Sequence, residues 1–461
     1  MNTDPELRDR AGIGPLEDLL VAADALVGAA KAGEEVEVMV GRGAATTVRA
    51  HGGDVESLTS AGSTGAGVRV ISAGRVGFAH CGSMDRDVLE DTLAEARDNC
   101  RFAEPDDANG LATDDGVEVV RQDMWSDAVI AFDVADKVEL ALEIERRVTS
   151  TDPRVSSART TTYGDGWGQA ALVSTAGIRR SSEYTSCSAG TQPLARDGDE
   201  TQVGWGSDAA RNPADLDVDR VVKDALSRAT KLLGATKPES GRMPILLEGR
   251  LAISLLAIAA SMLSAEAVQK GRSPFADRLG ERIAADCVTL LDDPTRSESL
   301  GADEFDGEGL AARTNPLIVG GKLDRFLFDS TTARRGGTES TASALRGLRS
   351  APSPGPQLLV MEPGVRNADE LQAEIELGLA VESFSGLHSG VNPTSGDFSV
   401  GATGVMIRNG EPAEPVQELT VASTLQRLLA DVVEIAADFE WLPSGSGAAS
   451  MRIDGVSVSG S

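Results

Sequence analysis

At 461 residues the chain is about twice the length at which a single hydrophobic core stops growing, so two domains are expected. Its 72 Asp and Glu against 43 Lys and Arg give a formal charge of −29, a field that repels nucleic-acid phosphates and anionic lipid headgroups and argues against either as a partner. Aromatic residues make up only 3% of the chain, which leaves few stacking platforms for bases or sugars and a core of Ala, Val, Leu and Ile.

The opening MNTDPELRDRAG mixes acids and bases without an apolar run; no secretory signal is expected there, only a short mobile lead-in. Leu16, Leu19, Leu20, Ala23 and Val27 follow a helical stripe behind Pro15 and predict a helix over 15–31. Short β-branched runs at 36–40, 46–50, 55–59, 67–72 and 75–80, separated by glycines, predict an antiparallel meander. GSTGAG at 62–67 lies between two of those strands, so it reads as a turn and not as a dinucleotide loop. Helical spacing returns over 85–102, and a further helix carries Val134, Val138, Ala141, Glu145 and Val148. Strands at 169–174 and 178–188 around Thr175-Ala176-Gly177 read as a hairpin, 189–213 as a mobile loop, and 216–233 as a helix stopped by Gly234.

Residues 238–242 form the expected seam between two halves, 1–240 and 241–461. Beyond it, a strand at 244–247 precedes the most apolar window, LAISLLAIAASMLSA at 251–265. That window is shorter than the roughly 20 residues of a membrane span and reads as a buried helix, so no membrane is expected as partner. Strand-like segments follow near 284–291, 316–328, 357–361 and 400–407, then a helix over 423–437 and a strand near 450–458. RGLRSAPSPGPQ at 346–357 reads as an extended, exposed loop. Because long-range strand pairing dominates, the fold class is α+β, with an antiparallel meander and flanking helices in the first domain.

Chemistry is sparse. His51, His80 and His388 have no partner at helical spacing and read as surface or loop histidines. Cys81, Cys100, Cys187 and Cys287 show no Cys-x-x-Cys spacing, which fits reduced thiols in a cytosol, and Cys287 is expected to be packed. Neither a serine-nucleophile elbow nor a phosphate loop occurs. Asp292-Asp293 and DEFDGEG at 303–309 lack the alternating ligands of a calcium loop and read as solvated turn carboxylates. GVNPTSGDFSVGATGVMIRNG at 390–410 reads as a glycine-rich loop ending in an Asn409-Gly410 turn. In it, Asp397 and Ser399 are able to orient a substrate, or simply to cap a turn and satisfy a strand end.

Four stretches carry a resemblance: VEVMVGRGAATTVRAHGGDVESLTSAGSTGAGVRV (36–70), AEAVQKGRSPFADRLGERIAADCVTLLDDPT (265–295), FDGEGLAARTNPLIVGGKLDRFLFDSTTARRGG (305–337) and GVNPTSGDFSVGATGVMIRNGEPAEPVQELTVAST (390–424). Together they resemble the TldD/PmbA family, and within it the PmbA (TldE) branch, across nearly the whole chain. The resemblance implies an N-terminal α/β domain, 1–240, a C-terminal β-rich domain, 241–461, and cytoplasmic dimers that enclose a cleft for linear or unfolded peptides. It also implies zinc metallopeptidase chemistry in the TldD branch, where a helix carries His-Glu-x-x-x-His and a cysteine near the C-terminus completes the metal shell.

Here the matching helix reads LLAIAASMLSAEAVQKG (255–271), with Ala257, Ile258, Ser261 and Met262 in the motif region, and the segment 441–460 has no cysteine. No catalytic residue and no metal of its own are therefore expected. The implied role is a non-catalytic subunit that pairs with a TldD-like, zinc-bearing peptidase, or with itself, in trimming precursor peptides and degrading small unstable proteins. His388, Asn392, Asp397 and Ser399 are the candidate peptide-cleft residues. Two alternatives stand beside it: a homodimeric peptide-binding protein without peptidase activity, and a metal-independent peptidase built on carboxylates such as Asp397 or Glu308.

Overall fold

Alternation in VEVMV sets the first sheet. Val36, Val38 and Val40 are buried against Leu19, Leu20 and Ala23 of one helix and Leu89, Leu93 and Ala96 of another, so Glu37, Met39 and Gly41 turn to the opposite face. In the computed structural model, which describes residues 4–460, the first half runs α1 Pro5–Arg10, α2 Leu16–Val27, β1 Glu34–His51, β2 Asp54–Ser72, β3 Arg75–Cys81, α3 Arg86–Phe102, α4 Asp127–Ala131 and α5 Val134–Thr151. It continues through β4 Val155–Ser174, β5 Arg179–Asp197, β6 Glu200–Val203, β7 Gly206–Ala210 and α6 Val218–Thr230. All seven strands form one antiparallel sheet in the order β3-β2-β1-β4-β5-β6, with β7 also on β5.

Several expectations change here. The segments 36–40 and 46–50 are one strand of 18 residues, and 55–59 with 67–72 one of 19; GSTGAG is strand, not turn. The chain reverses instead at Gly52-Gly53, both at positive φ. Within the strands glycine serves close approach: a Cβ on Gly65 would lie 2.4 Å from the Cys81 carbonyl oxygen. The supposed mobile stretch 189–213 is ordered, because β5 runs on to Asp197 and β6 and β7 pair back onto it. The lead-in is a helix from Pro5, capped by Asp4 and held by an Arg8–Glu183 ion pair at 2.5 Å; its first three residues lie outside those described.

The second half runs β8 Gly241–Leu247, α7 Gly249–Ser261, α8 Ala265–Gln269, β9 Leu290–Asp292, β10 Asn315–Val319, β11 Lys322–Leu323, α9 Ser330–Gly336, β12 Ala344–Leu345, β13 Ser353–Pro354, β14 Leu359–Met361 and α10 Ala368–Ala373. It ends with β15 Leu377–Ser385, α11 Leu387–Gly390, β16 Asp397–Arg408, β17 Glu411–Thr424, α12 Leu425–Ala430, β18 Val432–Ile435, β19 Glu440–Trp441, β20 Gly447–Ala448 and β21 Met451–Ser459. β17, β16, β15, β8 and β21 pair in that order, and β17 pairs with β21, so the sheet closes on itself as a barrel. Ile245, Leu247, Leu379, Val421 and Ile453 from its strands share one core with Leu255, Leu256 and Ala259 of α7.

The expected α+β class is what the chain adopts; the strands at 244–247 and 400–407 lie inside β8 and β16, and the one near 450–458 falls on β21 from Met451 onward. The helix expected over 423–437 ends at Ala430: after Asp431 the β-branched Val432 and Ile435, with Glu434 between them, pair with β21 instead. Of 284–291 only the end is strand, and Cys287 is exposed, not packed. The 346–357 segment is only partly an exposed loop, since its Arg346 side chain is wholly buried. Among the described residues no helix is long and apolar enough to cross a membrane.

Candidate functional site

The acids of DEFDGEG and Asp292-Asp293 are not solvated turn carboxylates, and two of them, Glu304 and Glu308, tie the two halves of the chain together. Glu304 accepts from Arg121 Nη1 (2.6 Å) and from the Gln122 N–H (3.0 Å), both in the first half. Asp306 accepts from the N–H groups of Glu308 (2.9 Å), Leu310 (3.0 Å) and Ala344 (3.0 Å). Glu308 accepts from Arg69 Nη2 of β2 (3.3 Å) and from the Ser330 N–H (2.8 Å). Burial pushes Asp292 and Asp306 up to about 7 and raises Glu308. A carboxylate sealed like Glu308, at 0% exposure, has no route to a substrate amide, so it is not a general base.

Helix α7 shows how the motif region is built. Leu251, Ala252, Leu255, Leu256 and Ala259 are buried, which turns Ser254, Ala257, Ile258 and Ser261 outward; Met262 is in the core. Ser254 and Ser261 give their hydroxyl protons to the carbonyls of Arg250 and Ile258, each at 2.7 Å. A zinc ion needs imidazole, thiolate or carboxylate donors in tetrahedral convergence, and this face offers methyl groups and two self-satisfied hydroxyls. Zinc does not fit these residues. Among the described residues, no three of His, Cys, Asp and Glu converge in a way that could hold a metal ion.

Of the peptide-cleft candidates, His388 and Asn392 sit on the connection between β15 and β16, and Asp397 and Ser399 at the start of β16. Asn392 and Asp397 come together: the Asn392 N–H donates to the Asp397 carbonyl (2.9 Å), and Asn392 Oδ1 accepts from the N–H groups of Thr394 (2.9 Å) and Ser395 (3.3 Å). The Asp397 carboxylate accepts from Ser395 Oγ at 2.7 Å. Both therefore shape the loop. His388 on α11 and Ser399 on β16 are exposed, as are His51 and His80. The Asn409-Gly410 turn joins β16 to β17 with both residues at positive φ, as a two-residue hairpin requires.

A second constellation beside α7 has no signature in the sequence. Glu382 of β15 gathers Lys231 Nζ (2.5 Å), Arg250 Nη2 (3.3 Å) and Arg228 Nε (3.4 Å), and both arginines stack on Trp205, at 4.3 and 4.9 Å from its ring. The cations come from α6, from Lys231 just after its last turn and from the start of α7, too far apart along the chain for any spacing to reveal.

Known proteins match this chain along most of its length. Three family models fit in series: PmbA/TldA metallopeptidase domain 1 over residues 36–100, the central domain over 128–233 and the C-terminal domain over 240–460. A Haemophilus influenzae protein named metalloprotease PmbA homolog is 24% identical over 447 residues, 94% of each chain. A solved structure of a candidate modulator of a DNA gyrase from Thermotoga maritima is similar with a TM-score of 0.86 at 26% identity, covering 96% of this chain and 100% of that one. TldE from Thermococcus kodakarensis shares the fold, with a TM-score of 0.82 at 21% identity over 96% of this chain and 100% of that one.

Proposed function

The chain belongs to the PmbA/TldD metallopeptidase family, and from that premise we propose that it is a non-catalytic, PmbA/TldE-like subunit of a peptidase complex. The observation that carries this is the outward face of α7, where Ala257, Ile258 and the back-bonded Ser261 stand in the motif region with nothing to grip a metal. Amide hydrolysis falls to a TldD-like partner that carries the zinc. This subunit shapes the cleft and keeps an unfolded or precursor peptide extended within it. His388 and Ser399 are the exposed contacts offered to that peptide, while Asn392 and Asp397 hold the loop that presents them. Four unpaired cysteines suit a reducing cytoplasm as the site of action.

The test is co-expression with a TldD-like peptidase. A stable heterodimer is expected, whose peptide hydrolysis falls when this chain is withheld. Recovery of both as separate proteins, with the peptidase indifferent to this chain, contradicts the proposal. Self-association with peptide binding in the absence of any peptidase would favour the homodimeric reading instead.

A further inference from the structure

The turn between α11 and β16 is braced from within. Asn392 Oδ1 holds the N–H groups of Thr394 and Ser395, the Gly396 N–H returns to the Asn392 carbonyl at 2.8 Å, and Ser395 Oγ closes on the Asp397 carboxylate. A segment that satisfies its own polar groups shifts as one piece, so its position is decided where it is fastened. Beyond the strand pairing of Asp397 with Thr424, two hydrogen bonds fasten it among the described residues, and both run to the first turn of α12. The Leu425 N–H donates to the Gly396 carbonyl at 2.7 Å, and Gln426 Nε2 donates to the Ser395 carbonyl at 3.0 Å.

The side chain of Gln426 is held to that task. Its Oε1 is shielded from solvent and has no partner among the described residues, a costly state for an amide oxygen. Turning the amide over would set this oxygen against the Ser395 carbonyl, acceptor against acceptor, which is worse. Gly396, at φ 81°, lies directly against Oε1, and a Cβ there would run into it. On the other side of the turn, α11 bears on β16 at Gly390, where a Cβ would run into the Ser399 carbonyl oxygen. His388 precedes that contact and Ser395 follows it, so Gly390 is a pivot between the Gln426 seat and the His388 ring.

We infer that Gln426 is a positioning residue: by holding the Ser395 carbonyl it sets the tilt of the turn across Gly390, and with it the place where His388 stands beside Ser399. The inference rests on the reading that His388 and Ser399 meet the peptide, and it adds the residue that aims them.

The test uses Gln426→Met, which keeps the length of the side chain and removes the donor without adding charge, and Gly396→Ala, which drives the same amide off its seat from the other side. The chain has three histidines, so the imidazole C–H signals are readily assigned by proton NMR of the intact chain. Both variants are expected to shift the His388 signal, with His51 and His80 unmoved as controls. With a TldD-like peptidase added, Gln426→Met is expected to raise KM for a long peptide about threefold to tenfold at unchanged kcat, the worth of one hydrogen bond. An unmoved His388 signal in both variants overturns the inference, and so does a His388 shift accompanied by unchanged KM. A peptidase indifferent to the parental chain would instead sink the subunit reading, while the His388 signal of the chain alone still decides whether Gln426 sets the turn.

Discussion

Arg346, from the second half of the chain, donates through Nη1 to Glu37 of β1, and solvent reaches neither side chain. Glu37 also receives both side-on donors of Arg69, which in turn reaches Glu308 at 3.3 Å. Burial works against a charged Glu37, but the two guanidiniums beside it outweigh that and hold its carboxyl below the usual range. One carboxylate thus ties β1, β2 and the loop after β12.

Replacing Glu37 with Gln leaves two buried guanidiniums facing each other without their shared anion. The expected loss of stability is about 3–5 kcal/mol, the usual result of breaking a buried ion pair from one side. Urea denaturation measures it; a loss under about 1 kcal/mol, typical of exposed pairs, would mean that water reaches the cluster.

Asp292 gives a pH signature. Its Oδ1 accepts from the N–H groups of Gln357 (2.7 Å) and Leu358 (2.8 Å), while Oδ2 is buried without a partner among the described residues. Burial, the dominant cause, moves its titration from 3.8 up to about 7, so folding favours the protonated form. The stability this contributes is complete below pH 3.8, drains away as the pH rises, and is gone above about 7. Asp292→Asn keeps the acceptor and cannot ionise. It is expected to remove a slope of at most roughly 1.4 kcal/mol per pH unit over that window and to be more stable than the parent at pH 8. Parallel pH profiles for the two proteins would contradict this.

Gly206 of β7 sits under α6, where a Cβ would lie 2.0 Å from the Val221 carbonyl oxygen. Backbone cannot yield as a flexible side chain does. Gly206→Val is therefore expected to cost more than about 3 kcal/mol or to prevent folding, read from the melting transition. Near-parental stability would show that α6 is free to move off the sheet.

The barrel loop separates shape from contact. Asn392→Ala removes the acceptor for two backbone N–H groups and is expected to speed hydrogen exchange at Thr394 and Ser395. Ser399→Tyr, at an exposed strand position, is expected to leave the denaturation midpoint within about 0.5 kcal/mol while lowering the partner's turnover of a long peptide. Unchanged turnover would remove Ser399 from the cleft.

What the sequence disclosed follows from the range of the forces involved. Helices α2, α3, α5 and α6 and the strands β8, β16 and β21 were readable because hydrophobic period is local. The missing donors of α7 were readable too, since one helical turn holds all the relevant positions. The long strands β1 and β2 were not, because their glycines mimic turns until the neighbouring carbonyl at Cys81 explains them. The burial of Asp292, Asp306 and Glu308 was equally hidden, since their donors at Leu358, Ala344 and Arg69 are remote in the chain.

The most direct measurement is zinc content with peptide hydrolysis, determined on the purified chain alone and then with a TldD-like partner. The α7 face predicts substoichiometric zinc and no cleavage for the chain alone, with both appearing only in the complex. One zinc per chain in the isolated protein, with proteolysis abolished by a chelator and restored by the metal, would contradict it.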